Sequence, residues 1–212
     1  MSADAVIELP IFELPLVLLP GELVPLHIFE DRYKAMIEHC LDRDEPFGIV
    51  FRDEDSGARA VGCSAAVAEV LQRLEDGRLN IVVTGGSPFR VLDRYEAEEF
   101  PAATVEPIDL ADETAERDPD AAERARAAFE SLAQEASEDD DDEEIAEAGQ
   151  GGSYDLAGRI TLPPETKQKL LETRSEAERM RLLARALEAV LNAVQRSKKI
   201  AESAQKNGHA QL

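Results

Sequence analysis

The 212-residue sequence contains no Trp, and aromatic residues make up only 5% of it, so the chain is thin in large anchors. Cysteine is as sparse. Cys40 and Cys63 lie 23 positions apart, with no C-x-x-C and no ligand cluster beside them. That excludes a cysteine-rich metal framework and predicts two reduced, buried thiols over a single disulfide or a reactive thiol. A long uninterrupted hydrophobic run is also missing. The apolar stretch from Leu9 to Ile28 is broken by Pro10, Glu13, Pro15, Pro20, Glu22 and Pro25, whereas a membrane-spanning helix needs about 20 mainly apolar residues. The first ten residues, MSADAVIELP, lack a basic segment and carry Asp4 and Glu8, so they do not form a signal peptide. The expectation is a soluble, cytoplasmic protein that makes no use of a membrane.

The usual catalytic signatures are absent as well. There is no G-x-x-x-x-G-K-[ST] phosphate loop, no G-x-G-x-x-G following a strand and no H-E-x-x-H. The nearest approach to a nucleophile elbow is GCSAA, Gly62 to Ala66, which reads as the interior of a strand. The only His after it is His209, in a polar tail. His27 alternates with apolar neighbours in a strand, and His39 falls on the wet flank of a helix, so both read as structural or solvated. The four consecutive Asp residues at 139–142 lack EF-hand spacing and its Gly. No catalytic residue, no metal ligand and no cofactor is expected, and the chain is read as a non-enzyme.

Positive charge is in short supply, and unevenly so. The net charge of −22 divides into 21 acidic and 9 basic side chains in residues 1–108, 17 and 3 in residues 109–152, and 7 and 11 in residues 153–212. Most of the length therefore repels phosphates and anionic membranes, which argues against nucleic acid as a partner.

What is present has a clear order. Hydrophobic residues reach 43%, enough for a packed core. Residues 1–108 read as β-rich, with about seven short strands: VIELPIF and VLLP, then ELVPLHIF, PFGIVF, a hairpin, FRVLDRYE and ATVEPI. The hairpin, AAVAEVLQRLEDGRLNIVVTGG, turns at Asp76-Gly77. One helix interrupts the strands. Tyr33, Met36, Ile37, Cys40 and Leu41 form a single stripe, with acidic Glu30 and Asp31 at its N-terminal end. Residues 109–152 are an acidic connector, with a helix over about 119–136 begun by Asp118-Pro119. The like-charge block that follows predicts a disordered loop over about 137–152. Residues 153–205 are helical, with Ser175 and Glu178 spaced as a capping box before a long apolar stripe through Leu183, Leu187, Val190 and Val194. Residues 206–212 form a flexible tail.

These segments have a resemblance. ELPIFELPLVLLPGELVPLHIFEDRYKAMIEHCL, then FGIVF, then VGCSAAVAEVLQRLEDGRLNIVVTGGSPFRVLD resemble the N-terminal domain of the ATP-dependent protease Lon. ITLPPETKQKLLETRSEAERMRLLARALEAVL resembles that domain's helical half, whose Q-x-L-L-E stands here as Gln168 to Glu172. The match covers about residues 6–108 and 153–195. Its most distinctive element is P-G-x-x-x-P-L-x-I-F-E-x-R-Y, from Pro20 to Tyr33. The family usually has Pro where this chain has Asp31, and the acidic block near 138–147 is not a family feature.

The resemblance implies an α+β fold: a β-rich, PUA-like pseudo-barrel subdomain with one inserted helix, followed by a C-terminal helical subdomain. It also implies recognition of unfolded or partly folded polypeptide. With no phosphate loop and no protease segment, the chain reads as a stand-alone member, cooperating with a separate protease or chaperone. Within the motif, Pro20, Gly21, Phe29, Glu30, Arg32 and Tyr33 are expected to build the strand-to-helix corner. Leu14, Leu16, Val17 and Leu18, near a strand edge broken by prolines, are the expected polypeptide contacts. Two other readings stand beside this one: homodimer assembly through the long C-terminal helix, and a hydrolase with an unrecognised site.

Overall fold

The computed structural model describes residues 6–97, 99–110, 118–136 and 149–208, with side chains through Ile200. The order of elements is β1 (Ile7–Leu14), β2 (Leu23–Ile28), α1 (Asp31–Arg43), β3 (Phe47–Asp53), β4 (Gly57–Arg73), β5 (Leu79–Glu96), β6 (Pro101–Pro107), α2 (Pro119–Ala136), α3 (Ser153–Arg159), α4 (Pro164–Glu172) and α5 (Glu176–Gly208). The fold is α+β, with six strands in one mixed sheet followed by helices.

The sheet closes on itself. β1 pairs with β3 in parallel and with β6 antiparallel; β3–β4, β4–β5 and β5–β6 are antiparallel. Those five strands form a barrel. β2 lies outside that circuit and pairs only with the first half of β5, from Leu23 opposite Thr84 to Ile28 opposite Leu79.

About seven short strands are expected, but six form among the described residues, because β4 and β5 run for 17 and 18 residues. FRVLDRYE is the second half of β5. The Gly85-Gly86-Ser87-Pro88 stretch reads as a break in sequence, yet it passes inside one continuous strand, and the β4–β5 pairing absorbs it in a register shift between Cys63 and Ala65. The other correction concerns VLLP, which forms no strand. Val17, Leu18 and Leu19 are an irregular segment whose side chains are at most 4% exposed. Its backbone is satisfied locally: Leu19 N donates to the Glu22 carboxylate at 3.0 Å, and Glu22 N donates to Leu19 O at 3.1 Å. Proline at 15 and 20 leaves that segment unable to sustain a ladder.

Phe89 fills the barrel interior, packed with Leu9, Ile11, Val50, Ala103 and Val105. Its ring occupies space that two glycines leave open. A Cβ on Gly48 would stand 2.6 Å from Phe89 Cζ, and one on Gly62 would stand 2.7 Å from the same atom and 2.6 Å from Ile49 O. A larger core runs from beneath β2, β4 and β5 through α1 and into the helices. The stripe of α1 is buried as the spacing predicts, through Tyr33, Met36, Ile37 and Cys40.

The helical half is tied to the barrel by buried polar contacts. Lys167 of α4 pairs with Glu22, their side chains 14% and 8% exposed. Gln168 donates to Val61 O of β4 at 3.1 Å. Arg179 of α5, 5% exposed, donates to Thr173 O and Arg174 O and lies 4.5 Å over the Tyr154 ring. Glu176 is the carboxylate that holds the start of α5, accepting from Ser153 N, Ser153 Oγ and Arg179, while Glu178 is exposed.

Among the described residues, ion pairs join α2 and the residue before it to α5: Asp118–Arg181, Arg124–Glu188 and Glu135–Lys198. Partner numbers rise together along both helices, so the two run parallel. α2 buries Ala121, Ala125, Ala128, Phe129 and Leu132 in the same core as Leu183 and Leu187 of α5, so part of the stripe considered for dimerisation is covered within the chain. Most of the acidic segment expected as a loop lies outside the described residues; residues 149–152 lead by a turn into α3.

A Gly62→Val substitution should be incompatible with Phe89 in place. We expect a loss of about 3 kcal/mol or more in urea unfolding. Stability within about 0.5 kcal/mol of the parent would show that the barrel interior is not packed this way.

Candidate functional site

Hydrogen-bond parity along β2 determines which backbone groups face outward. Gly85 N donates to Glu22 O at 2.9 Å. Counting along the antiparallel register, Val24, Leu26 and Ile28 turn their N–H and C=O groups toward β5, while Leu23, Pro25 and His27 turn theirs away. The missing N–H of Pro25 therefore costs the ladder nothing, and proline fits an edge position. Among the described residues no strand covers the outer side of β2.

The exposed side chains follow the same alternation. Leu23, Pro25 and His27 are exposed, whereas Val24 and Leu26 are half-buried and Ile28 is buried. On this face the register sets Leu23 beside Thr84 and Ala66, Pro25 beside Val82 and Glu69, and His27 beside Asn80 and Gln72. The last row is hydrogen-bonded across three strands. His27 Nδ1 and Asn80 Oδ1 are 2.6 Å apart, and Asn80 Nδ2 donates to Gln72 Oε1 at 3.0 Å. Phe29 continues beyond it, its ring 6.0 Å from that of His27. Leu23, Phe29 and Leu71 are 64%, 60% and 54% exposed. Pro25, His27, Leu71, Gln72 and Asn80 line one shallow depression of about 630 Å³. The outer face of β2–β5–β4 thus combines an unpaired backbone edge with exposed apolar side chains.

The residues expected to contact polypeptide lie elsewhere. Val17 and Leu18 are buried, 4% and 1% exposed, and offer a client no surface; Leu14 and Leu16 are half-buried against the same core. Proline-broken apolar sequence was read as an edge, but Glu22 folds it inward. Sequence reasoning missed Leu23, Leu71 and Val82. The signal for Leu23 was present in ELVPLHIF, whose odd positions from Leu23 fall on the open face.

The motif residues form a corner. Gly21 adopts φ +76° in the turn after the half-buried Pro20, and Gly21 N donates to Gly85 O at 2.9 Å. Glu30 caps α1 through its carbonyl, which accepts from Tyr33 N and Lys34 N; its carboxylate goes to Arg32 at 2.9 Å. Arg32 lies 4.5 Å above the Tyr33 ring, and Tyr33 packs on Phe12 at 4.1 Å. Phe29, assigned to this corner, points out onto the open face.

Among the described residues, Cys40, Cys63 and Ser64 are not placed as activated nucleophiles. Burial pushes the Cys40 thiol up to about 11 and the Cys63 thiol up to about 12. Cys63 Sγ faces Gly86 O at 3.7 Å, and Ser64 Oγ accepts from Ser87 N at 2.8 Å, inside β4. His39 lies edge-on to Phe100 at 5.0 Å. Among the described residues no group of three or more His, Cys, Asp or Glu is placed to hold a metal, and no helix is long and apolar enough to cross a membrane.

The fold and motif have relatives. The family model of the ATP-dependent protease La (LON) substrate-binding domain matches residues 8–203, so the chain belongs to that family. It is similar to the Lon protease of Paraburkholderia phytofirmans (strain DSM 17436 / LMG 22146 / PsJN), with 27% identity over 222 residues, covering 95% of this chain. The chain spans 27% of that relative's length. Among solved structures, the Lon N-terminal domain protein from Xanthomonas campestris superimposes with a TM-score of 0.63 at 22% identity, covering 84% of this chain and 96% of that one. The N-terminal domain of Mycobacterium avium complex Lon protease gives the same TM-score and identity over 85% and 98%. Both structures support the fold.

Burial of the two cysteines has a direct readout. At mildly alkaline pH, Cys40 and Cys63 should react with a thiol reagent far more slowly in the native protein than in denaturant, since little thiolate is present and access is closed. Rapid native labelling of either would contradict the packing.

Proposed function

We propose that this chain binds extended, apolar polypeptide segments on the outer face of β2–β5–β4 and performs no catalysis itself. The observation that carries the reading is the outward-facing backbone of Leu23, Pro25 and His27 flanked by exposed Leu23, Phe29 and Leu71. The family's description as a substrate-binding domain agrees with it. An extended segment hydrogen-bonds to such an edge through its main chain, which reads no sequence, while alternate side chains meet the apolar face. Pro25 removes one donor from the middle of the edge. A visiting strand there gains fewer bonds than in a complete ladder, which favours weak, reversible capture over permanent strand addition. The half-polar row His27–Asn80–Gln72 divides the apolar surface and gives the client's backbone or polar side chains a partner.

Affinity should fall in the micromolar range, because ordering a flexible client costs several kcal/mol. The net charge of −22 adds a sign: apolar segments flanked by basic residues should associate faster, and salt should weaken them. The test is titration of labelled, unfolded, reduced peptides against the parent and against Leu23→Lys and Leu71→Lys. Both substitutions place a charge on an already exposed side chain, so the fold should persist. Each should weaken binding about tenfold, on the scale of burying one apolar side chain. Binding unchanged in both folded variants would move the client elsewhere. No binding by the parent at tens of micromolar would remove the reading in favour of assembly through α5, whose Ile200 is 71% exposed.

A further inference from the structure

Three of the nine basic side chains in residues 1–108 converge on one pocket, which no residue of β2 lines. Arg32 comes from the start of α1, Arg52 from β3 and Arg94 from the closing half of β5. The pocket encloses about 550 Å³, in the range that holds small ligands. Tyr33 and Tyr95 form aromatic wall, and Ile11, Pro101 and Ala102 add apolar lining.

The charges are arranged around Glu13. Its side chain is 18% exposed, with Arg52 Nε donating to one carboxylate oxygen at 2.6 Å and Arg94 Nε lying 3.4 Å from the other. Both oxygens are thereby engaged. Arg94 also donates to Arg59 O at 2.6 Å, and Arg32 donates to Glu30 at the rim at 3.1 and 2.9 Å. A guanidinium has five N–H donors, so these contacts leave donors on each of the three. Three guanidiniums line the pocket with two carboxylates, Glu13 and Glu96, and Glu30 balances Arg32 at the rim, so a surplus of one positive charge opens when Arg32 turns from Glu30 into the pocket.

That surplus selects the ligand. A monoanion matches it, whereas a dianion such as phosphate would meet Glu13 and Glu96 uncompensated. The planar guanidinium fork suits a planar carboxylate, and the aromatic and aliphatic lining suits an apolar body next to it. We propose that this pocket binds a carboxylate carried on an apolar group, supplied either by a free small carboxylic acid or by the C-terminus of a polypeptide. Arg32 is the adaptable partner, because it can exchange Glu30 for the ligand without stripping Glu13 of its own pairs.

The experiment is titration of the isotope-labelled full chain, read at the backbone amides of Tyr33, Arg94, Tyr95 and Ala102. The probes are N-acetylphenylalanine, its C-terminal amide, a short apolar peptide ending in Phe with a free or amidated terminus, and inorganic phosphate. Free acids should shift those four amides saturably, the amides and phosphate should not, and salt should weaken the effect. Arg32→Gln should lower affinity about tenfold, the scale of losing a charge-assisted hydrogen bond. Glu96→Gln, at an exposed position, should raise affinity a few-fold and provides a second variant if Arg32→Gln misfolds. Tighter binding of the free-acid peptide than of the small acid identifies a chain end as the source; equal binding identifies the small acid. Equal shifts from acid and amide, tighter binding of phosphate, or no shift at millimolar acid would overturn the proposal. Each outcome is independent of the β2 face, which these residues do not share.

Discussion

The architecture depends on β5 serving two parts of one sheet at once. Its first half, Leu79 to Thr84, lies between β2 and β4 in a three-stranded section that is open on its outer side. Its second half, Phe89 to Glu96, pairs with β6 and closes the barrel around Phe89. The Gly85–Pro88 stretch lets one strand do both. At Gly85 there is no room for a side chain, because a Cβ would stand 2.0 Å from Leu19 O. Barrel closure removes the edges of the second half, while the first half ends in β2 with its outer backbone unpaired. The two surfaces with recognisable chemistry follow this division: the apolar face and free edge lie on the open half, and the arginine pocket on the closed half.

Glu22 transmits this geometry to the helices. Its backbone pairs with Gly85, one carboxylate oxygen accepts from Leu19 N, and the other meets Lys167 of α4. The same residue therefore pins the buried Val17–Leu19 segment, starts β2 and docks the helical half. Removing one partner of so buried a pair costs on the order of 3 kcal/mol. Gln168, four residues before Glu172, adds a second tie to Val61 O. These buried polar contacts orient the open face with respect to the helical half.

Much of this was legible before the structure. The stripe Tyr33, Met36, Ile37, Cys40 identified α1, and Asp76-Gly77 identified the hairpin, because both signals are local. The family motif carried the α+β architecture. Strand continuity through Gly85-Gly86 was not legible, since the residues that break an isolated strand here accommodate Leu19 from another part of the chain. The inward fold of Val17 and Leu18 was hidden for a similar reason. It requires a carboxylate five or four residues on that is itself paired with Lys167, far away in sequence. The open face was visible only in part: ELVPLHIF showed the alternation of β2, but Leu71 and Val82 join it through pairing that no local pattern reveals. The arginine pocket gathers residues from three distant elements and had no sequence signal at all.

The central claim, that an extended client pairs with the free edge of β2, is tested most directly by amide hydrogen exchange with and without an apolar peptide. Leu23 and His27 direct their N–H groups away from β5, whereas those of Val24 and Leu26 are already used in the ladder. The account predicts that peptide slows exchange at Leu23 and His27 and leaves Val24 and Leu26 unchanged. Saturating peptide with no added protection at Leu23 or His27 would contradict it.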